Sequence, residues 1–262
     1  MTILIIGSAG AIGSGLNDLH LERGDVVTTI SRTGADFNMD LRSDADVSNV
    51  AARLTRERKL FSRVYVASGI MGAIRPIMDI DLDEFRACLE VNLLVPVKII
   101  KHFSDLIAKN GSMVFFTGGG AANQKPYFTP YATSKTALVR LIESVAHENC
   151  LSHVRFYAIG PGPFKSNMLQ TIKEAGTNYL SEEELFAVEA VLRETRLNQQ
   201  GKISKIVSIC DALDQININK VSGRFYSAAW DDISSLSENI DSNIDAYTLR
   251  RIDSKYLGKH PL

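Results

Sequence analysis

Two side chains four positions apart, Tyr131 and Lys135, have residue types and a spacing suited to proton transfer. If the segment is helical, both side chains lie on one face, close enough for an ammonium to stabilise a phenolate. A free tyrosine has a pKa of about 10, so acid–base work near neutral pH needs a neighbouring cation, which Lys135 would supply. Because short motifs also arise by chance, the meaning of this pair depends on the elements around it.

A glycine-rich turn near the start of the chain is suited to bind phosphate. The apolar run over residues 2–6 predicts a strand buried in a parallel sheet, and the glycines after it have the spacing G-x-x-G-x-x-G before a helical pattern. In such a unit the backbone N–H groups and the helix N-terminus can bind a dinucleotide pyrophosphate; the alternative is an ordinary turn rich in small residues. The residues predicted to meet the cofactor here are Gly7, Gly10, Ala11, Ile12 and Gly13.

The second predicted strand, over residues 26–30, ends at Ser31 and Arg32. At this point of a dinucleotide fold an acidic residue would bind the ribose hydroxyls of NAD, whereas an arginine can neutralise the 2′-phosphate of NADP. Arg32 therefore favours NADP, with a solvated arginine at a strand end as the alternative. A short third strand is predicted within residues 35–41, which includes Asp40 and Leu41. Asp40 is expected either near the adenine or as an acid at the start of the next helix.

The rest of the chain alternates between apolar runs and amphipathic segments, the pattern of parallel strands joined by helices. Further strands are predicted at residues 63–67, 112–117, 154–159 and 223–229, and helices at residues 47–59, 83–103, 131–148 and 203–213. The expected fold class is α/β, a Rossmann-type doubly wound parallel sheet in three α/β/α layers, formed by a single domain over residues 1–262. Residues 163–200 are expected to form a substrate lid, and residues 231–262 a C-terminal tail.

Two of the predicted strands lead into loops that suit close contact with a cofactor. A small-residue loop follows the fourth strand, and a rigid Gly-Pro-Gly-Pro turn follows the sixth. The residues expected to contact the cofactor in these loops are Ala67, Ser68, Gly69, Pro161 and Gly162.

The long helix predicted over residues 83–103 contains Asn92 and Pro96. Asparagine competes for backbone hydrogen bonds and proline lacks an N–H donor, so both are poor residues for a helix interior. Together they predict a local distortion, and Asn92 is a candidate functional residue.

The order of these features resembles the short-chain dehydrogenase/reductase family over residues 2–230. The matching features are the glycine turn, the pair Asp40 and Leu41, the loop at 67–69, Asn92 in Val-Asn-Leu-Leu, the Tyr131-x-x-x-Lys135 motif, and the turn at 161–162. The resemblance implies hydride transfer between NAD(P) and a carbonyl or a secondary alcohol. It also implies that Tyr131 is the general acid or base and that Lys135 holds the nicotinamide ribose and favours the tyrosinate. By the same resemblance, Asn92 supports a water relay from Lys135.

The chain departs from the pattern of that family at several positions. Ala11 stands where shorter members have their middle glycine, which is closer to the extended members, and Ala67 replaces a usual asparagine. Gly118 occupies the position of the serine that orients the substrate oxygen. Thr117, one residue earlier, retains the hydroxyl that the task requires and is a candidate catalytic residue; the alternative is that it only ends the strand.

Composition excludes several other classes of function. The 29 basic and 30 acidic residues nearly cancel, which argues against a nucleic-acid binder. No apolar run is long enough to span a membrane, and the first strand begins too early for a signal peptide, so a cytoplasmic location is expected. Cys88, Cys150 and Cys210 are expected as buried thiols of a reducing compartment, and no histidine spacing predicts a metal site.

The sequence therefore predicts an NAD(P)-dependent oxidoreductase of a small-molecule substrate, with NADP the preferred cofactor. Two alternatives remain: a nucleotide-sugar epimerase or dehydratase, which the extended-type glycine turn favours and the short chain argues against, and a dinucleotide-binding sensor of little activity. The tail at 247–252 faintly resembles members from surface-polysaccharide pathways, and packing or an oligomer contact is the other reading of it. By analogy with the family, a homodimer or homotetramer is expected through the helices at 83–103 and 131–148.

Overall fold

The computed structural model describes residues 1–148, 151 and 153–250. The strands in these residues are β1 (Thr2–Ile6), β2 (Val26–Ser31), β3 (Phe37–Asn38), β4 (Phe61–Val66), β5 (Ile107–Phe116), β6 (Arg155–Gly160) and β7 (Arg224–Ser227). They form one sheet of 7 strands in the order β3-β2-β1-β4-β5-β6-β7, and every neighbouring pair is parallel. The predicted doubly wound parallel sheet is confirmed.

Helices connect the strands and cover both faces of the sheet. The described helices are α1 (Ala11–Glu22), α2 (Asp44–Arg56), α3 (Leu82–Leu89), α4 (Val95–Phe103), α5 (Thr129–Val145), α6 (Asn167–Ala175), α7 (Glu182–Leu192), α8 (Arg196–Asp214), α9 (Ile218–Val221) and α10 (Leu236–Ser242). Successive strand side chains point to opposite faces. Thus Leu4 and Ile6 pack into a core with α2, α4 and α5, whereas Ile3 and Ile5 pack into a second core with α1, α8 and α10. The predicted three-layer arrangement is confirmed.

Two elements extend further than their sequence patterns indicated. β5 begins at Ile107 because that residue pairs with Phe61 across a register shift in the sheet. α8 begins at Arg196, where Thr195 and Asn198 form a reciprocal capping box. The first turns of α8 are polar, so no apolar period marked them, and the cap rather than the hydrophobic pattern sets the start of the helix.

The predicted distortion around Asn92 is confirmed. α3 and α4 form one continuous path in which residues Glu90–Leu94 make a π-helical turn. Pro96 follows this turn directly in α4, and its missing N–H falls where the regular α-helical hydrogen bonds are already interrupted. π-helical turns within α-helices are frequent at functional sites, and this one places Asn92 in the interior.

A network of charged and polar side chains crosses the core between β4 and α8. Arg63 of β4 is 0% exposed. Its guanidinium pairs with Asp211 at 3.0 Å and with Asp214, and it donates to the hydroxyl of Tyr65 at 3.0 Å. That hydroxyl lies 3.1 Å from Nε2 of His20 on α1. The pairing satisfies a charge that would otherwise be costly to bury.

The described part of the C-terminal tail packs along β7. Phe225 donates its backbone N–H to the carbonyl of Tyr247 at 2.8 Å, and Arg250 pairs with Glu143 of α5 at 2.6 Å. Cys88 and Cys210 are buried free thiols. Cys150 and residues 251–262, including the end of the 247–252 tail segment, lie outside the described residues. Within the described parts of the chain, every helix is too short or too polar to serve as a membrane span.

Candidate active site

A large cavity lies at the carboxyl ends of the strands, beside the point where the strand order reverses between β1 and β4. Ligands of open α/β sheets bind at this position. The cavity has a volume of about 1570 Å³. The predicted site residues that line it are Gly10, Ala11, Ile12, Arg32, Ala67, Ser68, Gly69, Thr117, Tyr131, Lys135, Pro161 and Gly162. The remaining predicted site residues are not part of the cavity lining: Gly7, Gly13, Ser31, Asp40, Leu41 and Asn92.

Glycine is required at two positions of the turn after β1. Gly7 has a φ of +88°, and a Cβ there would lie 2.9 Å from the backbone of Ala67 at the end of β4. A Cβ on Gly13 would lie 2.3 Å from the carbonyl oxygen of Gly7. These contacts draw the turn, α1 and the loop after β4 together. Gly10 is the N-cap of α1, which has no side-chain cap and no acidic residue in its first turn, so its N-terminal N–H groups suit an anion.

The end of β2 presents Arg32 to the cavity and turns Ser31 away from it. Arg32 is exposed, whereas the buried hydroxyl of Ser31 donates to the carbonyl of Thr33. The carboxylate of Asp40 accepts from the guanidinium of Arg42 at 2.9 and 3.2 Å. The N-cap of α2 is Ser43, so Asp40 is not the acid at the start of that helix.

Tyr131 and Lys135 lie on one face of α5, as their spacing predicts. Nζ of Lys135 is 5.8 Å from the centroid of the Tyr131 ring. Lys135 is buried and donates to the carbonyl of Phe116, the last residue of β5, at 2.8 Å. This hydrogen bond fixes the ammonium at the carboxyl end of the strand.

The protonation states of the pair differ from the simple expectation of a tyrosinate beside a lysine. Burial raises the pKa of Tyr131 to about 12, and the neighbouring Cys88 adds to the increase. Burial lowers the pKa of Lys135 to about 8, which Cys88 partly offsets. The protein's own groups therefore keep Tyr131 as a phenol at neutral pH, poised to donate a proton rather than to accept one.

Gly118 creates the space that the Tyr131 hydroxyl occupies. A Cβ on Gly118 would lie 2.9 Å from Oη of Tyr131. Thr117 is 3% exposed, and its Oγ1 is buried with no hydrogen-bond partner among the described residues. A buried hydroxyl without a partner is uncommon and calls for an explanation such as a ligand.

Asn92 holds the loop after β4 against α5. Its Oδ1 accepts from the backbone N–H of Ile70 and its Nδ2 donates to the carbonyl of Ile70, both at 2.9 Å. Nδ2 also donates to Oγ of Ser134 at 3.0 Å, and that hydroxyl donates to the carbonyl of Tyr131 at 2.7 Å. Sequence reasoning missed Ser134, although its place directly before Lys135 in the motif was a usable signal. The side chain of Asn92 thus links α5 to the loop after β4.

In the loop after β4, the small residues allow Asn92 and Lys135 to approach the backbone closely. A Cβ on Gly69 would lie 3.4 Å from Oδ1 of Asn92 and 3.5 Å from Nζ of Lys135. The hydroxyl of Ser68, like that of Thr117, is buried without a partner among the described residues. Two such hydroxyls on adjacent strand ends mark this part of the cavity as prepared for a polar ligand.

The predicted lid, residues 163–200, contains α6, α7 and the start of α8. Three of its basic residues form ion pairs: Lys173 and Arg193 with Glu189, and Arg196 with Asp18. They are a solvated face, whereas Lys165 is exposed and lines the cavity. Sequence reasoning also missed an apolar wall beside Tyr131, which comes from segments far apart in the chain. Its buried members are Met71, Ile74, Phe128 and Leu180.

The comparisons with known proteins agree with this geometry. Residues 16–210 match the family described as Enoyl-(Acyl carrier protein) reductase. An uncharacterized short-chain type dehydrogenase/reductase of Sinorhizobium fredii is 25% identical over 191 residues, which cover 66% of this chain and 34% of that protein. The human Dehydrogenase/reductase SDR family member 4 is 27% identical over 173 residues, which cover 62% of this chain and 60% of that protein. The chain belongs to the short-chain dehydrogenase/reductase family.

The fold of this short-chain dehydrogenase/reductase also matches solved structures. One from Burkholderia multivorans, with bound NADP, has a TM-score of 0.67 at 17% identity and covers 88% of this chain and 98% of that chain. The two curated relatives are matched over only 34% and 60% of their own lengths. The match therefore establishes the family, whose members are NAD(P)-dependent oxidoreductases. It does not identify the substrate of this chain with that of either relative.

Proposed function

We propose that this chain catalyses hydride transfer between a nicotinamide dinucleotide and a small-molecule carbonyl or secondary alcohol, with Tyr131 exchanging the proton at the substrate oxygen. The observation that carries this proposal is the location of Tyr131 and buried Lys135 in the wall of the same cavity that the glycine turn enters. A phosphate-binding turn and a proton donor opening into one cavity are the two parts that this reaction requires.

The residues present fit a dinucleotide. A Cβ at Gly7, in the turn after β1, or at Gly13, in the first turn of α1, would lie too close to backbone atoms, and the buried hydroxyls of Ser68 and Thr117 have no hydrogen-bond partner among the described residues. Gly10, Ala11 and Ile12 would hold the pyrophosphate, Lys135 the nicotinamide ribose, and the loops at 67–69 and 161–162 the nicotinamide end. When bound, the nicotinamide supplies or accepts the hydride.

In the direction of reduction, Tyr131 acts as the general acid. As the carbonyl oxygen gains negative charge, the phenol donates its proton and the product leaves as an alcohol. The ammonium of Lys135 stabilises the phenolate that is left on Tyr131. This phenolate then takes up a proton from solvent, which regenerates the phenol. Thr117 is the candidate to hydrogen-bond the substrate oxygen, because its hydroxyl is buried beside Gly118 with no described partner. Oxidation of an alcohol is the reverse sequence.

Oxidation of NADPH by the purified chain, measured with a panel of ketones, aldehydes and one enoyl thioester, tests this proposal. Tyr131→Phe should lower turnover at least about a hundredfold and leave the Kd for NADPH unchanged, because the phenol acts in proton transfer and not in binding. NADPH binding without consumption over the whole panel would favour the dinucleotide sensor. Reduction of the enoyl thioester alone would assign the chemistry to a carbon–carbon double bond.

We further propose that NADP is preferred over NAD. Arg32 is exposed at the end of β2 and lines the cavity, where it can neutralise a 2′-phosphate. Arg32→Ala should weaken NADPH binding at least about tenfold and leave NADH binding unchanged. Arg56→Ala, at an exposed position of α2 outside the cavity lining, is the matched control. A wild-type preference for NADH would refute the proposal.

A further inference from the structure

The cavity beyond Tyr131 has an apolar inner wall. Three separate segments build it: the loop after β4, the loop before α5, and the lid. The wall residues that line the cavity are Met71, Phe128, Met168, Ile172, Tyr179 and Leu180. Tyr131 packs against this same cluster. The reacting oxygen must reach the Tyr131 hydroxyl, so the groups attached to the reacting carbon contact these side chains.

Several polar side chains that line the cavity beside this wall are exposed to solvent at its rim. Asn123, Gln124, Thr177 and Asn178 are exposed, whereas Met71, Phe128 and Leu180 are buried. Two charged residues of the rim are paired with each other, since Nζ of Lys125 lies 3.7 Å from Oε1 of Glu184. A substrate with many hydroxyls would lose its hydrogen bonds to water at the inner wall without regaining them.

An aromatic pair joins the two sides of the rim. The rings of Tyr127 and Tyr179 are 5.2 Å apart at an angle of 47°. Tyr127 has a φ of +68°, which is uncommon for a residue with a bulky side chain. The backbone N–H of Arg75 donates a hydrogen bond to the carbonyl of Tyr127 at 3.0 Å. Backbone strain of this kind clusters at ligand-binding positions. Tyr179 belongs to the lid and Tyr127 to the loop before α5. An aromatic or alkyl group bound here would therefore contact both the lid and that loop.

We propose that the substrate is an apolar ketone or secondary alcohol, whose aromatic or alkyl group binds the apolar wall and contacts Tyr127 and Tyr179. The proposal rests on the proposed hydride transfer, which places the reacting oxygen at Tyr131. It separates the chain from sugar-modifying enzymes of the same fold, because a sugar ring requires several polar partners and, among the wall residues named above, only Tyr179 carries a polar side-chain group. Tyr127 and Tyr179 are then specificity-determining residues.

Calorimetric titration tests the proposal without requiring turnover. The chain, with and without saturating NADP⁺, is titrated with benzylacetone, an aromatic ketone, and with erythrulose, a small ketone that carries hydroxyls. Benzylacetone should bind at least about tenfold more tightly, because burial of its apolar surface is favourable and erythrulose must be desolvated. Equal or tighter binding of erythrulose overturns the proposal. Binding of benzylacetone without NADPH oxidation would support the apolar site and count against the proposed reaction.

Variants of the lid test the residues. Tyr179→Ser should weaken benzylacetone binding about tenfold, and Tyr179→Phe should retain it, since the ring and not the hydroxyl makes the contact. The control is Phe186→Ser, which removes an aromatic residue that is 71% exposed on α7, outside the cavity lining. Unchanged binding in folded Tyr179→Ser overturns the role of Tyr179. If Tyr179→Ser fails to fold, Tyr127→Ser is the second variant. It should also weaken benzylacetone binding about tenfold, and unchanged binding would overturn the role of Tyr127.

Discussion

At the residue scale, the close approach of Gly118 to Tyr131 sets the position of the phenol that we propose as the proton donor. The hydroxyl of Tyr131 lies where a side chain at position 118 would begin. Gly118 has an extended backbone, with φ −166° and ψ 175°, so its own conformation does not require glycine. The requirement comes from the space that Tyr131 needs.

Gly118→Ala should therefore lower kcat about a hundredfold, because the new Cβ displaces the hydroxyl from the position of proton transfer. Gly119→Ala is the matched control, since a Cβ there meets no atom within 4 Å. Steady-state kinetics of both variants, with NADPH binding measured in parallel, check the prediction. Equal kcat values for the two variants would contradict it.

The pH dependence of reduction follows from the two pKa values of the pair. Tyr131, with its pKa raised to about 12 by burial, stays protonated across the working range. Lys135, with its pKa lowered to about 8 by burial, loses its charge as the pH rises through that value. Because the proposed reduction leaves a phenolate on Tyr131 that the ammonium would stabilise, kcat for reduction should be flat below a pH of about 7 and fall above about 8. A pH–rate profile that stays level to a pH of about 10 would contradict this role of Lys135.

At the scale of elements, the turn between β1 and α1 determines how closely the sheet, the helix and the loop after β4 approach. The glycine spacing predicts this turn, but not which glycines are sterically required. Gly13 has no room for a Cβ, whereas a Cβ on Gly10 would have its nearest contact at 3.4 Å. The sequence pattern treats the glycines as equivalent, and packing distinguishes them.

Gly13→Ala should lower the free energy of unfolding by about 3 kcal/mol, because the added methyl overlaps the carbonyl of Gly7. Gly10→Ala should change it by less than about 1 kcal/mol, since its Cβ is accommodated and only the N-cap preference is lost. Urea denaturation of the two variants provides the measurement. A larger loss for Gly10→Ala than for Gly13→Ala would show that the turn packs differently.

At the scale of the whole molecule, the ion network of Arg63 joins the centre of the sheet to α8, the helix that continues from the lid. The carboxylate of Asp214 also accepts from the hydroxyls of Tyr157 and Ser112, at 3.0 and 3.3 Å. Arg63 was predicted only as the start of a buried strand. Its burial is tolerated because α8 supplies two carboxylates from a distant part of the chain.

Asp214→Asn should lower the free energy of unfolding by about 3 kcal/mol, because it leaves the buried charge of Arg63 partly uncompensated. Asp211→Asn, at a side chain that is 35% exposed, should cost about 1 kcal/mol or less. Chemical denaturation at neutral pH compares them. If both variants lose the same stability, burial does not control the strength of these pairs.

The sequence by itself determined the features that depend on neighbours along the chain. Apolar runs predicted the buried strands, the glycine spacing predicted the first turn, Asn92 with Pro96 predicted a distorted helix, and the interval from Tyr131 to Lys135 placed both on one helical face. Only the tertiary structure decided the close approach of Gly118 to Tyr131, the burial of the Thr117 hydroxyl without a partner among the described residues, the ion pairs of Arg63, and the apolar wall. These features join different elements of the fold, so they depend on how the layers pack, which no local period of the sequence records.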